Sequence, residues 1–102
     1  MDVLEIIKSE KPTLINFFAT WCGPCHAMKP NLDQAAAHYG ERINYERIDV
    51  DEYAQLSGKF GIRSIPTTIL FKNNEIVWKH TGVYPGTEII KRIGEHITVE
   101  QK

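Results

Sequence analysis

The chain has 102 residues and a net charge of −1, with 42% hydrophobic and 25% charged residues, which is typical of one globular domain. This charge balance argues against nucleic acid and against a membrane surface as partners. The sequence has no run of about 18 apolar residues that would predict a membrane span. The acidic start of the chain is unlike a secretory signal, so we expect one domain over residues 1–102, located in the cytoplasm.

The first elements are a helix and a strand. Residues 3–7 predict a short amphipathic helix that ends near residues 8–11, because Pro12 blocks its continuation. Residues 13–19 are apolar on both faces apart from Asn16, which is typical of a central parallel strand covered by helices on both sides.

A long helix is expected after a break in the chain at residues 20–24. Four apolar side chains recur at helical spacing: Met28, Leu32, Ala35 and Tyr39. Pro30 is expected to interrupt and kink this helix, because proline has no N–H group for the helical hydrogen bond. Gly40 is expected to cap its C-terminal end.

The second half of the chain predicts mostly strands. A strand is expected over 43–50 and a short helix over 52–60, and two further strands over 66–71 and 75–80. The last two strands are joined by Asn73-Asn74, which indicates a tight hairpin because asparagine tolerates positive φ.

A final helix is indicated by isoleucines at helical spacing, with Thr87 as the expected N-cap: Ile89, Ile90, Ile93 and Ile97. The resulting order is α-β-α-β-α-β-β-α. This order predicts an α/β fold of three layers, in which a mixed four-stranded sheet joins a parallel first half to an antiparallel hairpin.

Both cysteines of the chain lie in Trp21-Cys22-Gly23-Pro24-Cys25, where a strand is expected to give way to a helix. Unpaired N–H groups and the helix dipole at that end stabilise an anion, so we expect the thiolate form of Cys22 to be favoured. An exposed Cys22 would then attack a substrate disulfide, and the more buried Cys25 would resolve the mixed disulfide. A structural disulfide or a pair of inert thiols is the less favoured alternative.

This motif resembles the active site of the thioredoxin family. Residues 61–67 resemble the second signature of the family, and the similarity extends through residues 71–75 and Gly82, in order and at the right spacing from Leu14 onward. The resemblance implies a thioredoxin fold and a thiol–disulfide oxidoreductase that reduces protein disulfides. It also implies protein disulfide substrates, a thioredoxin reductase as partner, a monomeric state, and no metal or organic cofactor in the chain.

The resemblance also implies a cis peptide bond between Ile65 and Pro66, beside the cysteines. Such a bond would present the backbone of Ile65 to an incoming peptide, which could pair with it as an added strand. The expected lining of this shallow apolar groove is Trp21, Gly23, Pro24, Ile65, Pro66, Gly82 and Val83. Without the resemblance, Pro66 would simply be interpreted as the first residue of a strand.

The sequence departs from the family pattern at several positions. Asn16 stands where members usually have a buried Asp, and an amide cannot accept a proton from the resolving cysteine. We expect Asn16 to be a hydrogen-bonded polar group in the core. Arg47 replaces a Lys that often lies near that acid, so Asp49 or Glu46 is its expected partner. The short N-terminal segment has room for a helix but not for the usual first strand, which predicts a four-stranded sheet with one less-covered edge.

Other classes of function remain open at this point. Residues 22–26 also match the C-x-x-C-H signature of covalent haem attachment, with Cys22, Cys25 and His26 at the defining positions. A zinc site would use both cysteines and two histidines from the set His26, His38, His80 and His96, but their spacing matches no known ligand pattern. A redox-inactive binding module with the same fold is the remaining alternative.

Overall fold

The computed structural model describes residues 2–97. Its helices and strands follow one another in the predicted order. They are α1 (Val3–Ile6), β1 (Thr13–Phe18), α2 (Gly23–Tyr39), a 3-10 turn (Gly40–Arg42), β2 (Asn44–Asp49), α3 (Ala54–Lys59), β3 (Thr67–Lys72), β4 (Glu75–Thr81) and α4 (Gly86–Gly94). Residues 1 and 98–102 of the predicted domain lie outside the described part.

The four strands form one mixed sheet in the order β2-β1-β3-β4. Strand β1 pairs parallel with β2 and antiparallel with β3, and β3 pairs antiparallel with β4. The parallel pair requires a long crossover, which α2 supplies. The predicted mixed four-stranded sheet is therefore confirmed, and β1 and β3 are its central strands, which explains why they are apolar on both faces.

Helices cover both faces of the sheet, which gives three layers. One core lies on the side of α2 and α4; its buried members include Leu14, Met28, Leu32, Leu70 and Ile89. The other lies on the side of α1 and α3; its members include Ile7, Ile15, Phe17, Ile48 and Ile69. Consecutive residues of β1 alternate between the two cores, as the strand geometry requires. Asn16 faces the same side as Leu14, and therefore lies under α2.

The turns predicted from asparagine and glycine are present. Asn73 and Asn74 join β3 to β4 with φ values of 53° and 69°, and Gly40 follows α2 with a φ of 54°. Helix α2 continues through Pro30, so the expected interruption is wrong. The buried face of α2 extends on both sides of Pro30, and this packing holds the helix together where one backbone hydrogen bond is missing.

The first and last helices are shorter than predicted. Helix α1 ends at Ile6, and Asp2 caps it by accepting a hydrogen bond from the backbone N–H of Leu4 at 3.1 Å. Helix α4 begins at Gly86, so Pro85 and not Thr87 holds the N-cap position. It ends at Gly94, and Ile97 lies beyond the helix while still packing against the core beneath α2 and α4.

Candidate active site

The cysteine pair lies where β1 ends and α2 begins. Cys22 is the N-cap residue of α2, with extended backbone (φ −93°, ψ 110°), and its Sγ accepts a hydrogen bond from the backbone N–H of Cys25 at 3.2 Å. Cys22 and Cys25 form a disulfide with a Cα–Cα distance of 5.3 Å. Pro24 lies in the first turn, where its missing N–H has no helical partner. The N-terminal end of the helix is thus directed at Cys22 Sγ.

Cys22 is more buried than the sequence predicts, and Cys25 is buried as expected. Cys22 is 5% exposed and Cys25 is fully buried. The prediction of an exposed Cys22 is wrong for the disulfide form, because its sulfur is turned toward Cys25 and packs in a small apolar cluster with Ala19 and Ile65. The relative exposure of the two cysteines is as expected, because Cys22 is slightly exposed and Cys25 is not.

The loop before β3 and the loop after β4 meet beside the disulfide. The Ile65–Pro66 peptide bond is cis, as the family resemblance implies. The carbonyl oxygen of Ile65 lies 4.0 Å from Cys22 Sγ, and the N–H of Gly82 donates to the carbonyl of Pro66 at 2.8 Å. Gly82 has a φ of 101°, a conformation that side chains rarely adopt. The structure therefore brings Ile65, Pro66 and Gly82 together at the cysteines.

The other predicted groove residues lie on the open side of the disulfide. Trp21 is 70% exposed, and Gly23 and Pro24 are exposed as well. Trp21 is held by its indole Nε1–H, which donates to Asp51 Oδ2 at 2.8 Å. Asp51 could not be identified from the sequence, because it follows β2 and is 30 residues away from Trp21 along the chain.

Asn16 is fully buried and is hydrogen-bonded on both sides. Its Nδ2 donates to Thr68 Oγ1 at 3.0 Å, and its Oδ1 accepts from Arg47 Nε at 3.2 Å. The strand register explains both contacts, since Arg47 and Thr68 lie opposite Asn16 on the two neighbouring strands. The expectation that Asn16 is a satisfied polar group of the core is confirmed.

The partners expected for Arg47 are wrong. The guanidinium contacts neither Asp49 nor Glu46 as an ion pair, and within residues 2–97 it forms no salt bridge. It lies 4.1 Å above the ring of Phe18, measured from Cζ to the ring centre, and its Nη2 is 3.5 Å from the carbonyl oxygen of Cys25. Glu46 lies on the opposite face of β2, which is why alternation along the strand separates it from this site.

The histidine after the motif has a local role. His26 is exposed, and its Nε2 lies 2.8 Å from the carbonyl oxygen of Thr20, which ties the start of α2 to the end of the preceding loop. In the described part of the chain, no group of three or more His, Cys, Asp or Glu side chains is arranged to hold a metal ion.

A disulfide at the start of a helix can accept two electrons and two protons to become two thiols, and the two thiols give up the electrons again when the disulfide re-forms. One sulfur receives an N–H hydrogen bond, the other is buried one helical turn behind it, and two loops converge on the pair. This arrangement defines a thiol–disulfide oxidoreductase, in which one thiolate attacks a substrate and the second thiol closes the internal disulfide.

Comparison with known proteins gives the same class. The thioredoxin family model matches residues 3–95, and the chain belongs to the thioredoxin family. The thioredoxin of Chlorobaculum thiosulfatiphilum is 40% identical over 93 residues, which cover 91% of this chain and 86% of that protein. Thioredoxin Y, chloroplastic, of Oryza sativa subsp. japonica is 37% identical over 98 residues, covering 96% of this chain and 57% of that protein.

A solved structure agrees with the fold. The crystal structure of a thioredoxin from Malassezia sympodialis has a TM-score of 0.82 to this chain at 30% identity, covering 92% of this chain and 82% of that one. The protein is therefore a thioredoxin-type disulfide oxidoreductase. Among residues 2–97, no helix is both long enough and apolar enough to span a membrane.

Proposed function

We propose that the protein reduces disulfides in other proteins, with Cys22 as the attacking nucleophile and Cys25 as the resolving thiol. One observation carries this assignment. The N–H of Cys25 donates to Cys22 Sγ at 3.2 Å, at the N-terminal end of a 17-residue helix. The same hydrogen bond favours a negative charge on Cys22 in the reduced protein, and the thiolate is the reactive form.

The reaction then has two exchanges. The Cys22 thiolate attacks one sulfur of the substrate disulfide, and the other substrate sulfur leaves as a thiolate and takes a proton from solvent. Cys25 loses its proton and attacks Cys22 Sγ, which releases the second substrate thiol and forms the internal disulfide. Two electrons have passed from the cysteine pair to the substrate, so a reductant must restore the two thiols.

The substrate would lie across the surface beside the disulfide. Its proposed contacts are Trp21, Gly23, Pro24, Ile65, Pro66, Gly82 and Val83. The proximity of the Ile65 carbonyl to Cys22 Sγ supports this, because a peptide paired with that backbone would place its own sulfur near the nucleophile. The exposure of Trp21 and Val83 supports it further, since both offer apolar surface to a partner.

The wider role follows from the same assignment. The Gly-Pro pair between the cysteines resembles the reducing members of the family, which favours the reductive direction and a role in electron transport and cell redox homeostasis. We propose a thioredoxin reductase as the electron donor, protein disulfides as substrates, and neither nucleic acid nor a membrane as partner. We further propose a monomer that works in the cytoplasm.

Single-cysteine variants test the assignment. Cys25→Ser should accumulate a mixed disulfide with a disulfide-bonded protein such as insulin, and Cys22→Ser should form none; mass analysis after alkylation distinguishes them. The reverse pattern would exchange the two roles. A wild-type pair that fails to reduce insulin with dithiothreitol as electron source would contradict the proposal and favour the redox-inactive binding module.

A further inference from the structure

The loop that joins β4 to α4 is tied to two different parts of the site. At its start, the N–H of Gly82 donates to the carbonyl oxygen of Pro66 at 2.8 Å. In its middle, the N–H of Tyr84 donates to Sδ of Met28 at 3.3 Å. Val83 lies between these two hydrogen bonds and is 46% exposed. The two bonds fix the backbone on either side of an exposed side chain, so together they set the position of Val83.

The acceptor for Tyr84 is a thioether sulfur, which is normally a weak acceptor and a flexible filler of cores. Met28 is fully buried on α2, one helical turn after Cys25 and on the same face. Within residues 2–97, no oxygen atom accepts from the N–H of Tyr84, and the sulfur is its one partner. Because this N–H is directed at a fully buried side chain, removal of the sulfur would leave it unpaired at a cost in free energy.

The rest of the loop has little room to adjust. The ring of Tyr84 packs against the rings of His80 and Trp78, with centroid distances of 4.3 Å and 5.3 Å. Helix α4 begins at Gly86, where an added Cβ would lie 3.1 Å from a backbone carbonyl oxygen of α2. Since the tyrosine ring and the start of α4 are both packed, a loop without the sulfur contact would move mainly at its exposed residue, Val83.

We propose that Met28 is a positioning residue for substrate specificity, whose sulfur holds the loop around Val83 in the form that binds a protein substrate. This inference rests on the proposed function, in which the substrate lies against Gly82 and Val83. A polypeptide would reach this loop while Cys22 attacks its disulfide, whereas a small disulfide reaches Cys22 without extending so far. Met28 therefore acts on the binding of proteins, and its sulfur neither gives nor takes electrons.

The composition of the chain allows this sulfur to be replaced almost alone. The chain has two methionines, Met1 and Met28. Growth of a methionine-requiring host on norleucine replaces each sulfur by a CH2 group and keeps the side chain flexible and equally long. Growth on selenomethionine keeps a polarisable acceptor at the same place. Met28→Leu made with norleucine is the matched control, because it differs from ordinary Met28→Leu only at Met1.

Two substrates separate protein binding from the exchange chemistry. Each reduced protein is mixed rapidly with insulin over a range of concentrations, or with a small aromatic disulfide, and oxidation of the cysteine pair is followed by tryptophan fluorescence. We expect norleucine to lower the rate at low insulin concentration about three- to tenfold, and to leave the rate at saturating insulin within about twofold of wild type. The rate with the small disulfide should not change, and the selenomethionine protein should match wild type with both substrates.

Amide hydrogen exchange measures the hydrogen bond itself. The amide of Tyr84 should exchange about tenfold faster in the norleucine protein. The amide of Gly82, whose acceptor is the carbonyl oxygen of Pro66, should exchange as in wild type, whereas a general loosening of the core would raise both rates. Val83→Ala tests the route of the effect. In that background norleucine should change the insulin rate much less, because the side chain through which Met28 acts has been shortened.

Several results would overturn the role of Met28. They are a norleucine protein as fast as wild type with insulin, an equal slowing with insulin and the small disulfide, a Tyr84 amide that exchanges no faster, and a full norleucine effect in Val83→Ala or in the Met28→Leu control. All of them leave the proposed function intact, because wild type still reduces insulin. A wild-type protein that reduces the small disulfide but not insulin would instead overturn the proposed function.

Discussion

Replacing Thr68 with valine removes the acceptor that the buried amide of Asn16 uses. Both residues are fully buried, and the bond between Asn16 Nδ2 and Thr68 Oγ1 is 3.0 Å long. Valine has nearly the shape of threonine, so the space between β1 and β3 stays filled. The variant therefore isolates the effect of leaving one buried N–H group without a partner.

The size of the effect follows from that single group. An unsatisfied buried donor costs about 1–3 kcal/mol, and the loss of the buried threonine hydroxyl offsets a part of it, so we expect Thr68→Val to lower the free energy of unfolding by about 1–2 kcal/mol. For a domain of this size, that corresponds to a fall of roughly 5–10 °C in the melting temperature.

The measurement is denaturant unfolding of the oxidised protein, followed by fluorescence and circular dichroism. Thr81→Val provides the control, because Thr81 is an exposed residue of β4 whose Oγ1 lies 3.3 Å from Thr67 Oγ1. We expect the control to change the free energy by less than about 0.5 kcal/mol. If Thr68→Val is as stable as the control, the amide of Asn16 has another partner and the reasoning about this hydrogen bond is wrong.

Asn16→Asp should speed the resolving step at least about tenfold and add a carboxylate titration to its pH–rate profile, since a base would then lie next to Arg47, whose Nη2 is 3.5 Å from the carbonyl oxygen of Cys25. An unchanged rate and profile in rapid mixing would contradict this. Tyr45→Phe should leave stability at neutral pH within about 0.5 kcal/mol, because the Tyr45 hydroxyl is buried with no hydrogen-bond partner in the described part of the chain. Since the folded protein holds the tyrosine proton more tightly, the free energy of unfolding of wild type should fall as pH rises from 10.0 to about 12, by about 1–2 kcal/mol after a discount for the partial solvent exposure of Tyr45. A phenylalanine variant with an equal alkaline loss in denaturant titrations would refute this cause. Leu32→Ala should lower the free energy of unfolding by about 2–5 kcal/mol through a cavity under α2, whereas Leu4→Ala, at a 39% exposed position, should cost far less in the same titration.

Much of the fold could be predicted from local patterns. The central strand β1 was identified by its apolar run, the β3–β4 hairpin by two asparagines that tolerate positive φ, and the end of α2 by Gly40. The limits of the helices were less predictable. Pro30 was expected to interrupt α2, yet the helix continues because its buried face packs on the sheet over its whole length.

The active site, like the fold, has a part that could be predicted from the sequence and a part that could not. The spacing of Cys22 and Cys25 predicted a redox pair, because two thiols three positions apart at the start of a helix are close enough to bond. The burial of Cys22 was not predictable, since it depends on Ile65, which is 43 residues from Cys22 along the chain. The support that Asp51 gives to Trp21 was missed for the same reason.

The sequence by itself determined which elements form, in which order, and which two side chains carry the chemistry, because backbone preferences, periodicity and short spacings are properties of neighbouring residues. The tertiary structure alone decided what surrounds those side chains. Asn16 is opposite Thr68 and Arg47 through the register of three strands, and Arg47 Nη2 comes within 3.5 Å of the carbonyl oxygen of Cys25 through the packing of α2 on that sheet. Such contacts join residues far apart in the chain, so only the packed arrangement of the elements determines them.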